Sequence, residues 1–195
     1  SNPLYGGTDT FFKAILSRYH IGSHGFMPGD KEDEILSALE AAGIKGKISV
    51  IFVETPANPN NVLIDIAMCV SIAKKLSTAD KKVLVVADNT YMGPIWQHPI
   101  PMGADICVYS ATKYLGGHSD IVAGACMGSK EHIARVKKMR NNLGGMSGPH
   151  TAWLLTRSLE TLKLRMDKQC ENAKVLSKYL RNHPKVERVY YFDQF

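Results

Sequence analysis

The chain has 195 residues, of which 45% are hydrophobic, so it can bury a sizeable core within one domain. Its formal net charge is +6, but the basic residues are mixed with acids, and their densest group, residues 130–140, alternates with apolar positions as an amphipathic helix does. This pattern argues against a nucleic-acid interface. No apolar run is long enough to span a bilayer and no signal sequence opens the chain, so we expect a cytoplasmic protein without a membrane partner.

The cysteines and histidines show no spacing that is typical of a metal site or a disulfide framework. Cys107 and Cys126 lie inside apolar runs, where a buried, reduced thiol is the ordinary case. His20 and His24 have no third ligand beside them, and two histidines alone are usually polar surface. We therefore predict no metal cofactor.

The first part of the chain predicts two helices. A tight glycine turn precedes the first, which Thr8 or Asp9 would cap and which extends to about Tyr19. After a loop rich in glycine and histidine, a charged second helix begins at Asp30 and is ended by Gly43.

The first strand is predicted from the apolar run Ile48–Val53, whose β-branched residues are typical of a strand buried on both faces. It leads into Glu54–Asn60, where two prolines restrict the backbone and hold Asn58 in a fixed pose with its amide free to bind. Apolar residues then recur at helical spacing, which predicts a helix from Asp65 to about Thr78.

Two further apolar runs, Val83–Ala87 and Ile106–Tyr109, predict the next strands. The first ends in Asp88. The second leads into the stretch Ser110–Tyr114, which places Lys113 just beyond the end of the strand.

The last third of the chain predicts one more buried strand, Ile121–Met127, and then mainly helices. One helix spans about residues 131–141, and another begins near Pro149 and extends, with a break, to Arg181. The final apolar stretch, Val186–Phe192, predicts a strand that begins another domain.

Strands that alternate with helices indicate an α/β layered domain with a mostly parallel sheet. Its ligand crevice lies beyond the carboxyl ends of the strands, where Asn58, Asp88 and Lys113 would converge. Burial there would desolvate the Lys113 amine and favour its nucleophilic form. Such a lysine, with a carboxylate able to pair with a pyridinium nitrogen, is the protein half of pyridoxal-phosphate chemistry. Strand ends also carry Asp or Lys for ordinary solvation, so this pair alone does not decide the function.

Three motifs follow one another along the chain: Glu54–Pro59, Asp88–Thr90, and Ser110–Tyr114 with Gly117–Asp120. Together they resemble the signature of the Cys/Met-metabolism family of pyridoxal-phosphate enzymes, and the resemblance covers essentially the whole chain. It implies an aspartate-aminotransferase-like, fold type I large domain, with three layers and a mostly parallel central sheet. Residues 1–182 would form this cofactor-binding domain, incomplete at its N-terminus, and residues 183–195 would begin the C-terminal small domain.

The resemblance implies how the chain would hold pyridoxal 5′-phosphate. Lys113 would bind it through a Schiff base and move the substrate's protons, and Asp88 would pair with the ring nitrogen. The phosphate would be held by two hydroxyl residues on the same side of the local chain, Ser110 and Thr112.

Two more residues receive roles from the resemblance alone. Tyr5 would stack on the cofactor ring and assist proton movement, because an aromatic face suits the ring and a phenol suits proton transfer. Asn58 would contact the phenolic oxygen of the cofactor and the substrate. Without the resemblance, both are ordinary turn residues.

The activity that the resemblance implies is a lyase of sulfur amino acids. It would carry out β- or γ-elimination of cystathionine-like substrates to a thiol, a 2-oxo acid and ammonia, in transsulfuration. The stretch Tyr5–Thr8 has glycine where methionine gamma-lyases typically carry cysteine, which resembles cystathionine gamma-lyase or synthase more. A methionine gamma-lyase and a cystathionine gamma-synthase are alternatives, since they share the cofactor residues. A catalytically inactive structural domain is the alternative of another class.

Several parts of the family are not found between Ser1 and Phe195. They are a Ser-Gly-Met phosphate loop, the arginine for the substrate carboxylate, and side chains donated by a neighbouring subunit. We therefore expect these 195 residues to be a segment that alone binds cofactor weakly and turns over poorly. The full protein would be a homo-oligomer, a dimer of dimers, acting on a small amino-acid substrate.

Overall fold

The computed structural model describes residues 1–192, which form an α/β domain, as the sequence predicts. Its four strands form one sheet and are β1 (Val50–Glu54), β2 (Leu84–Asp88), β3 (Ile106–Ser110) and β4 (Gly124–Gly128). The α-helices of these residues are α1 (Gly6–Thr10), α2 (Glu32–Ala41), α3 (Ile66–Leu76), α4 (Gly93–Trp96), α5 (Lys130–Leu143), α6 (Pro149–Leu159) and α7 (Leu162–Arg181).

The sheet has the strand order β1-β2-β3-β4, in which the first three strands are parallel and β4 is antiparallel to β3. Asp88, the last residue of β2, pairs with Glu54 of β1 and Val108 of β3. Parallel pairing of β1 and β2 requires a long crossover, which α3 provides. The predicted mostly parallel sheet is therefore confirmed, and its three parallel strands end along one edge.

One face of the sheet is buried by α2 and α3. Val53 of β1 and Ala87 of β2 are fully buried there, in one apolar cluster with Ile35 of α2 and Ile72 of α3. The residues that alternate with them, such as Val86, are only half-buried. The prediction that the first strand is buried on both faces is wrong for the described residues, because α2 and α3 cover one face only.

The fourth strand also differs from its prediction, which was a buried strand over residues 121–127. It lies at the edge of the sheet, and both Gly124 and Met127 are exposed. An edge strand has a neighbour on one side only, and glycine adds no side chain to bury. Gly124 pairs with Ser110, so the start of β4 lies beside the end of β3.

The helices agree with the predicted pattern, except at the start of the first helix. The first begins at Gly6, so Thr8 and Asp9 lie inside it instead of capping it, and a π-helical turn and a 3-10 turn continue it to Tyr19. The predicted break in the last helix separates α6 from α7. The predicted strand Val186–Phe192 is irregular, because it pairs with no strand of the described sheet. Residues 193–195, the rest of the predicted small-domain segment, lie outside the described residues.

Residues 1–192 also bear on the expectations about membranes, metals and thiols. None of their helices has the length and apolar character needed to cross a bilayer. No group of three metal-ligating side chains in this part of the chain is arranged to hold an ion. The cysteines are free thiols. Cys107 is buried as predicted, whereas Cys126 is half-buried because it lies on the edge strand.

Candidate functional site

The carboxyl edge of the parallel strands carries most of the predicted site residues. Asp88 ends β2, Ser110 ends β3, and the loop with Asn58 follows β1. Side chains alternate along a strand, so the pairing of Asp88 with Val108 places Asp88 on the same face of the sheet as Ser110. This is the half-buried face, opposite α2 and α3. The sheet therefore brings the predicted carboxylate and the chain segment before Lys113 to one side of one edge.

A chain of hydrogen bonds joins Asp88 to residues 110–117, which we call the lysine turn. Asp88 Oδ1 accepts the backbone N–H of Thr90 at 2.9 Å and the Thr90 hydroxyl at 2.6 Å. That hydroxyl oxygen in turn accepts the backbone N–H of Ser110 at 2.8 Å. Within residues 1–192, Asp88 Oδ2 has no hydrogen-bond partner. Thr90 thus fixes the start of the lysine turn against the carboxylate and leaves one carboxylate oxygen open.

Asn89, next along the chain, is fully buried and locks the loop after β2. Its Nδ2 lies 2.8 Å from the carbonyl oxygens of Gly93 and Gln97 and 3.0 Å from the Tyr109 hydroxyl oxygen. Its Oδ1 accepts a hydrogen bond from Gln97 Nε2 at 2.8 Å. Burial raises the pKa of Tyr109 to about 12, so the phenol stays protonated at neutral pH. A buried amide satisfied on both atoms is typical of a rigid support.

Glu54, at the end of β1, joins the two segments that carry Tyr5 and Asn58. It is buried, and its carboxylate accepts the backbone N–H of Tyr5 at 2.7 Å and that of Asn58 at 2.8 Å. The Asn58 side-chain amide makes no hydrogen bond within residues 1–192. The Tyr5 ring is 55% exposed and lies over Gly7, where an added Cβ would come within 2.9 Å of it. Glu54 therefore positions both candidate residues through their backbone and leaves their side chains free.

Backbone hydrogen bonds close the lysine turn, yet the Lys113 side chain is exposed. The backbone N–H of Lys113 donates to the Ser110 carbonyl oxygen at 3.1 Å. Gly116 N–H donates to the Ala111 carbonyl oxygen at 2.8 Å, and Gly117 N–H to that of Lys113 at 2.7 Å. The prediction that burial desolvates the Lys113 amine is wrong for the described residues, because none of their elements covers its side chain.

The two predicted phosphate-binding hydroxyls differ in how free they are. Ser110 Oγ makes no hydrogen bond within the described part of the chain. Thr112 Oγ1 accepts the backbone N–H of Ala123 at 3.0 Å and donates to the Ala123 carbonyl oxygen at 3.3 Å. Ser110 is thus a free donor, whereas Thr112 has to turn its hydroxyl away from Ala123 before it can donate to a phosphate.

The chemistry of this edge fits pyridoxal 5′-phosphate. The open oxygen of Asp88 suits a protonated ring nitrogen, and the free hydroxyl of Ser110 suits a phosphate oxygen. The exposed amine of Lys113 is accessible to an aldehyde, and the exposed Tyr5 ring offers a face for stacking. Only the Thr112 hydroxyl has to give up a hydrogen bond to take part.

Sequence reasoning gave no role to four residues that hold this edge together: Asn89 and Thr90, which it noted only as part of a motif, and Gln97 and Arg165. The first two follow Asp88 directly at the end of a strand, and that position is a usable signal. Gln97 Nε2 also donates to the Thr55 carbonyl oxygen at 3.0 Å, and Arg165 Nη1 donates to that of Tyr114 at 2.9 Å. These partners lie 42 and 51 residues away in the chain, so no local pattern indicates them.

Comparison with known proteins gives a consistent family. The family described as "Cys/Met metabolism PLP-dependent enzyme" matches residues 1–193. A cystathionine beta-lyase of Coxiella burnetii is 38% identical over 96% of this chain and 46% of its own length. An L-methionine gamma-lyase of Pseudomonas putida is 42% identical over 97% of this chain and 46% of its own length.

A solved structure gives the same picture. The crystal structure of cystathionine gamma-lyase from Lactobacillus plantarum, complexed with L-serine, matches with a TM-score of 0.84 at 34% identity. It covers 96% of this chain and 47% of the solved chain. The chain therefore spans about half the length of the relatives it matches.

Proposed function

This chain belongs to the Cys/Met metabolism family of PLP-dependent enzymes, and from that premise we propose that it supplies the cofactor-binding part of a carbon–sulfur lyase for cystathionine-like amino acids. The reaction would consume one water and yield a thiol, a 2-oxo acid and ammonia. One observation carries the proposal: the Asp88–Thr90–Ser110 hydrogen-bond chain ties the lysine turn to a carboxylate with one open oxygen. A family match over residues 1–193 supports it.

Lys113 has the central role in this proposal. When bound, pyridoxal phosphate supplies an electron sink that stabilises negative charge on the α-carbon of the substrate. Lys113 Nζ would hold the cofactor until the amino group of the substrate replaces it, and would then remove the α-proton. For γ-elimination the same amine would also take a β-proton before the sulfur leaves. Its exposed position at the end of a fixed turn supports both roles.

The other site residues would bind and orient. Asp88 Oδ2 would accept the ring N–H and keep that proton in place, while Oδ1 stays bonded to Thr90. Ser110 would donate to the phosphate first, and Thr112 would join after releasing Ala123. Because Thr90 holds the Asp88 carboxylate in place, that carboxylate needs no reorganisation during the reaction.

Tyr5 and Asn58 would act on the remaining sides of the cofactor and substrate. Glu54 fixes the backbone of both residues, so their backbone would move little when a ligand binds, while their side chains stay free to contact it. The Tyr5 ring would stack on the cofactor, and its hydroxyl would relay protons. The Asn58 amide would donate to the phenolic oxygen and contact the substrate.

The full protein would act in the cytoplasm as a homo-oligomer, a dimer of dimers, without a membrane partner. Elimination needs an enclosed site, because water competes for reactive groups and weakens the electrostatic contacts. Lys113 is exposed within the described residues, which supports the proposal that further protein surface closes the site.

A methionine gamma-lyase is the second candidate function. The specific observation in its favour is the 42% identity to the P. putida L-methionine gamma-lyase. The cofactor residues described above serve both reactions, so the two candidates differ in the substrate alone.

The test uses the full-length protein loaded with pyridoxal phosphate, reduced with borohydride and mapped by peptide mass spectrometry. We expect a covalent adduct at Lys113, its loss in Lys113→Ala, and a fall in kcat of at least about 10³-fold in that variant. Lys137→Ala on the exposed helix α5 is the matched control. It should keep the adduct at Lys113 and the wild-type kcat. Thiol release would be assayed with cystathionine, methionine, homocysteine, and an acylated homoserine plus cysteine. No adduct at Lys113, or no turnover of any of these, would contradict the proposal and favour an inactive structural domain.

A further inference from the structure

The start of α7 carries an arginine that reaches across to the lysine turn. Arg165 Nη1 donates to the Tyr114 carbonyl oxygen at 2.9 Å, directly after Lys113 in the chain. Nη2 donates to the Ser158 carbonyl oxygen at 2.8 Å, and Nε donates to Thr161 Oγ1 at 3.0 Å. All three guanidinium nitrogens are therefore engaged. Two of the bonds hold the side chain at the α6–α7 corner, and the third holds the turn.

The guanidinium of Arg165 also contacts the far end of the same turn. Gly117 has φ = +74°, and a Cβ added there would clash with Nη1 and Cζ of Arg165. The guanidinium thus rests directly on the Gly117 backbone, which only a residue without a side chain allows. Gly117 N–H in turn donates to the Lys113 carbonyl oxygen at 2.7 Å. Arg165 therefore contacts the residue after Lys113 and the residue that binds its carbonyl.

The next residue of α7, Met166, makes a similar contact with the segment that follows Asp88. Met166 is fully buried, and its Cε would lie 2.6 Å from a Cβ added at Gly93. Gly93 begins α4, which follows the short loop after Asp88, and its carbonyl oxygen accepts a hydrogen bond from Asn89 Nδ2. Two successive residues of α7 thus contact the lysine turn and the start of the helix that follows the aspartate.

We propose that Arg165 is a positioning residue, which sets the place of the Lys113 amine by fixing the part of the turn that follows Lys113, at Tyr114 and Gly117. The Lys113 side chain is exposed, so its own packing does not fix it and its backbone has to. A displacement of about 1 Å at a reacting group can cost roughly 10²-fold in rate. The planar, forked guanidinium serves three acceptors at once, which an ammonium on a flexible stem does not reproduce. The effect on catalysis rests on the function proposed above; the ordering of the turn does not.

The first measurement is hydrogen exchange of the Gly116 and Gly117 amides in the full-length protein without cofactor. These amides donate to the carbonyl oxygens of Ala111 and Lys113 inside the turn. In Arg165→Met we expect their exchange to accelerate by about tenfold, since a charge-assisted hydrogen bond is lost. Arg165→Lys should lie between wild type and Arg165→Met. It is also the milder variant if Arg165→Met does not fold.

The matched control is Arg157→Met, because Arg157 lies on α6 near the same corner and is exposed, with its guanidinium over the Trp153 ring. It should leave the turn amides at the wild-type rate. With cofactor bound, Arg165→Met should lower kcat by about 10²-fold with KM changed by less than about threefold, and should shift the pH midpoint of the cofactor's visible absorption. Arg157→Met should change none of these.

The outcomes separate this inference from the proposed function. If Arg165→Met and Arg157→Met give equal exchange rates in the turn, the inference is overturned. It is also overturned if the turn amides accelerate while kcat and the absorption midpoint stay at their wild-type values. If wild type has no lyase activity but the turn amides accelerate in Arg165→Met alone, the proposed function fails and the ordering role of Arg165 stands.

Discussion

Two regions of the described chain use their apolar residues in different ways: residues 50–128, which we call the sheet half, and residues 130–181, which we call the helical half. The sheet half holds the sheet and most of the buried apolar cluster, in which Ile72 is 1% exposed. Residues 130–181 form three helices, of which α5 buries no residue, and Leu164 on α7 is 72% exposed. The first half builds the site from strand ends and loops. The second half contacts the site at Arg165 and Met166 of α7.

Because of this difference, we expect the two halves to tolerate substitutions unequally. A residue in the sheet half is held by neighbours on several sides, so its loss leaves a cavity or an unpaired polar atom. A residue on the exposed faces of the helices has few neighbours within residues 1–192, so its loss should matter little. Arg165 is the exception, because its bonds leave the helical half and end on the lysine turn.

We expect the largest change in the free energy of unfolding when a buried apolar side chain of the sheet half is truncated. The matched truncation lies on the exposed face of α7. Ile72→Ala should lower the free energy of unfolding by about 2–5 kcal/mol, since it leaves a cavity between α3 and the sheet. Leu164→Ala should change it by less than about 0.5 kcal/mol. Urea unfolding of the full-length protein, followed by circular dichroism, measures both. If the two variants lose equal free energy of unfolding, the contrast between the two halves is wrong. This face of α7 would then be buried against another part of the protein.

A second, smaller difference in stability is expected between Gly117→Ala and Gly144→Ala. It distinguishes the cost of backbone strain from the cost of losing the Arg165 contact. Gly117 and Gly144 have nearly equal positive φ values, +74° and +75°, but a Cβ at Gly144 meets no atom within 4 Å. Gly144→Ala should therefore cost only the left-handed backbone penalty, about 1–2 kcal/mol. Gly117→Ala should cost more, because the guanidinium has to move and its bond to Tyr114 is lost as well.

The check on this second prediction is a double variant. When Arg165→Met is already present, Gly117→Ala no longer displaces a guanidinium, so its cost in urea unfolding should approach that of Gly144→Ala. If the cost of Gly117→Ala is the same with and without Arg165, the two residues are not coupled and the helical half does not brace the turn.

The sequence predicts much of the sheet half, because apolar runs that end in polar residues are a local signal. The parallel strands lie within two residues of their predicted bounds, and Asp88, Ser110 and Asn58 lie at the predicted edge. The sequence does not predict which face of a strand is covered, since that depends on where α2 and α3 pack. Nor does the sequence show that β4 forms an edge of the sheet or that no element of residues 1–192 covers Lys113, so both exposures were missed.

The supports of the site were harder to predict because they depend on long-range contacts. Gln97 binds a carbonyl oxygen 42 residues away, and Arg165 binds one 51 residues away. In the sequence, Arg165 is one of many basic residues on a helix, and Gln97 is a polar residue in a loop. Only the folded chain shows that each has its partner in a loop of the site.

The smallest expected effect concerns pH and uses a tyrosine of the sheet half. Burial raises the pKa of Tyr109 from its usual 10.0 to about 12 in the folded chain. Between these pH values the unfolded chain has released the proton and the folded chain retains it, so the unfolded state binds fewer protons and stability falls as pH rises. Below pH 10 this contribution to stability is fully present. Urea unfolding should therefore give a lower free energy of unfolding at pH 11 than at pH 9. This difference should be smaller in Tyr109→Phe.

A second buried group titrates in the same pH range. Cys69 is buried, and burial raises its pKa to about 11, so it adds a loss of stability of the same sign that Tyr109→Phe retains. If Tyr109→Phe keeps the full wild-type slope between pH 9 and pH 11, Tyr109 is open to water in solution, and the contrast between a closed sheet half and an open helical half is weaker than the structure indicates.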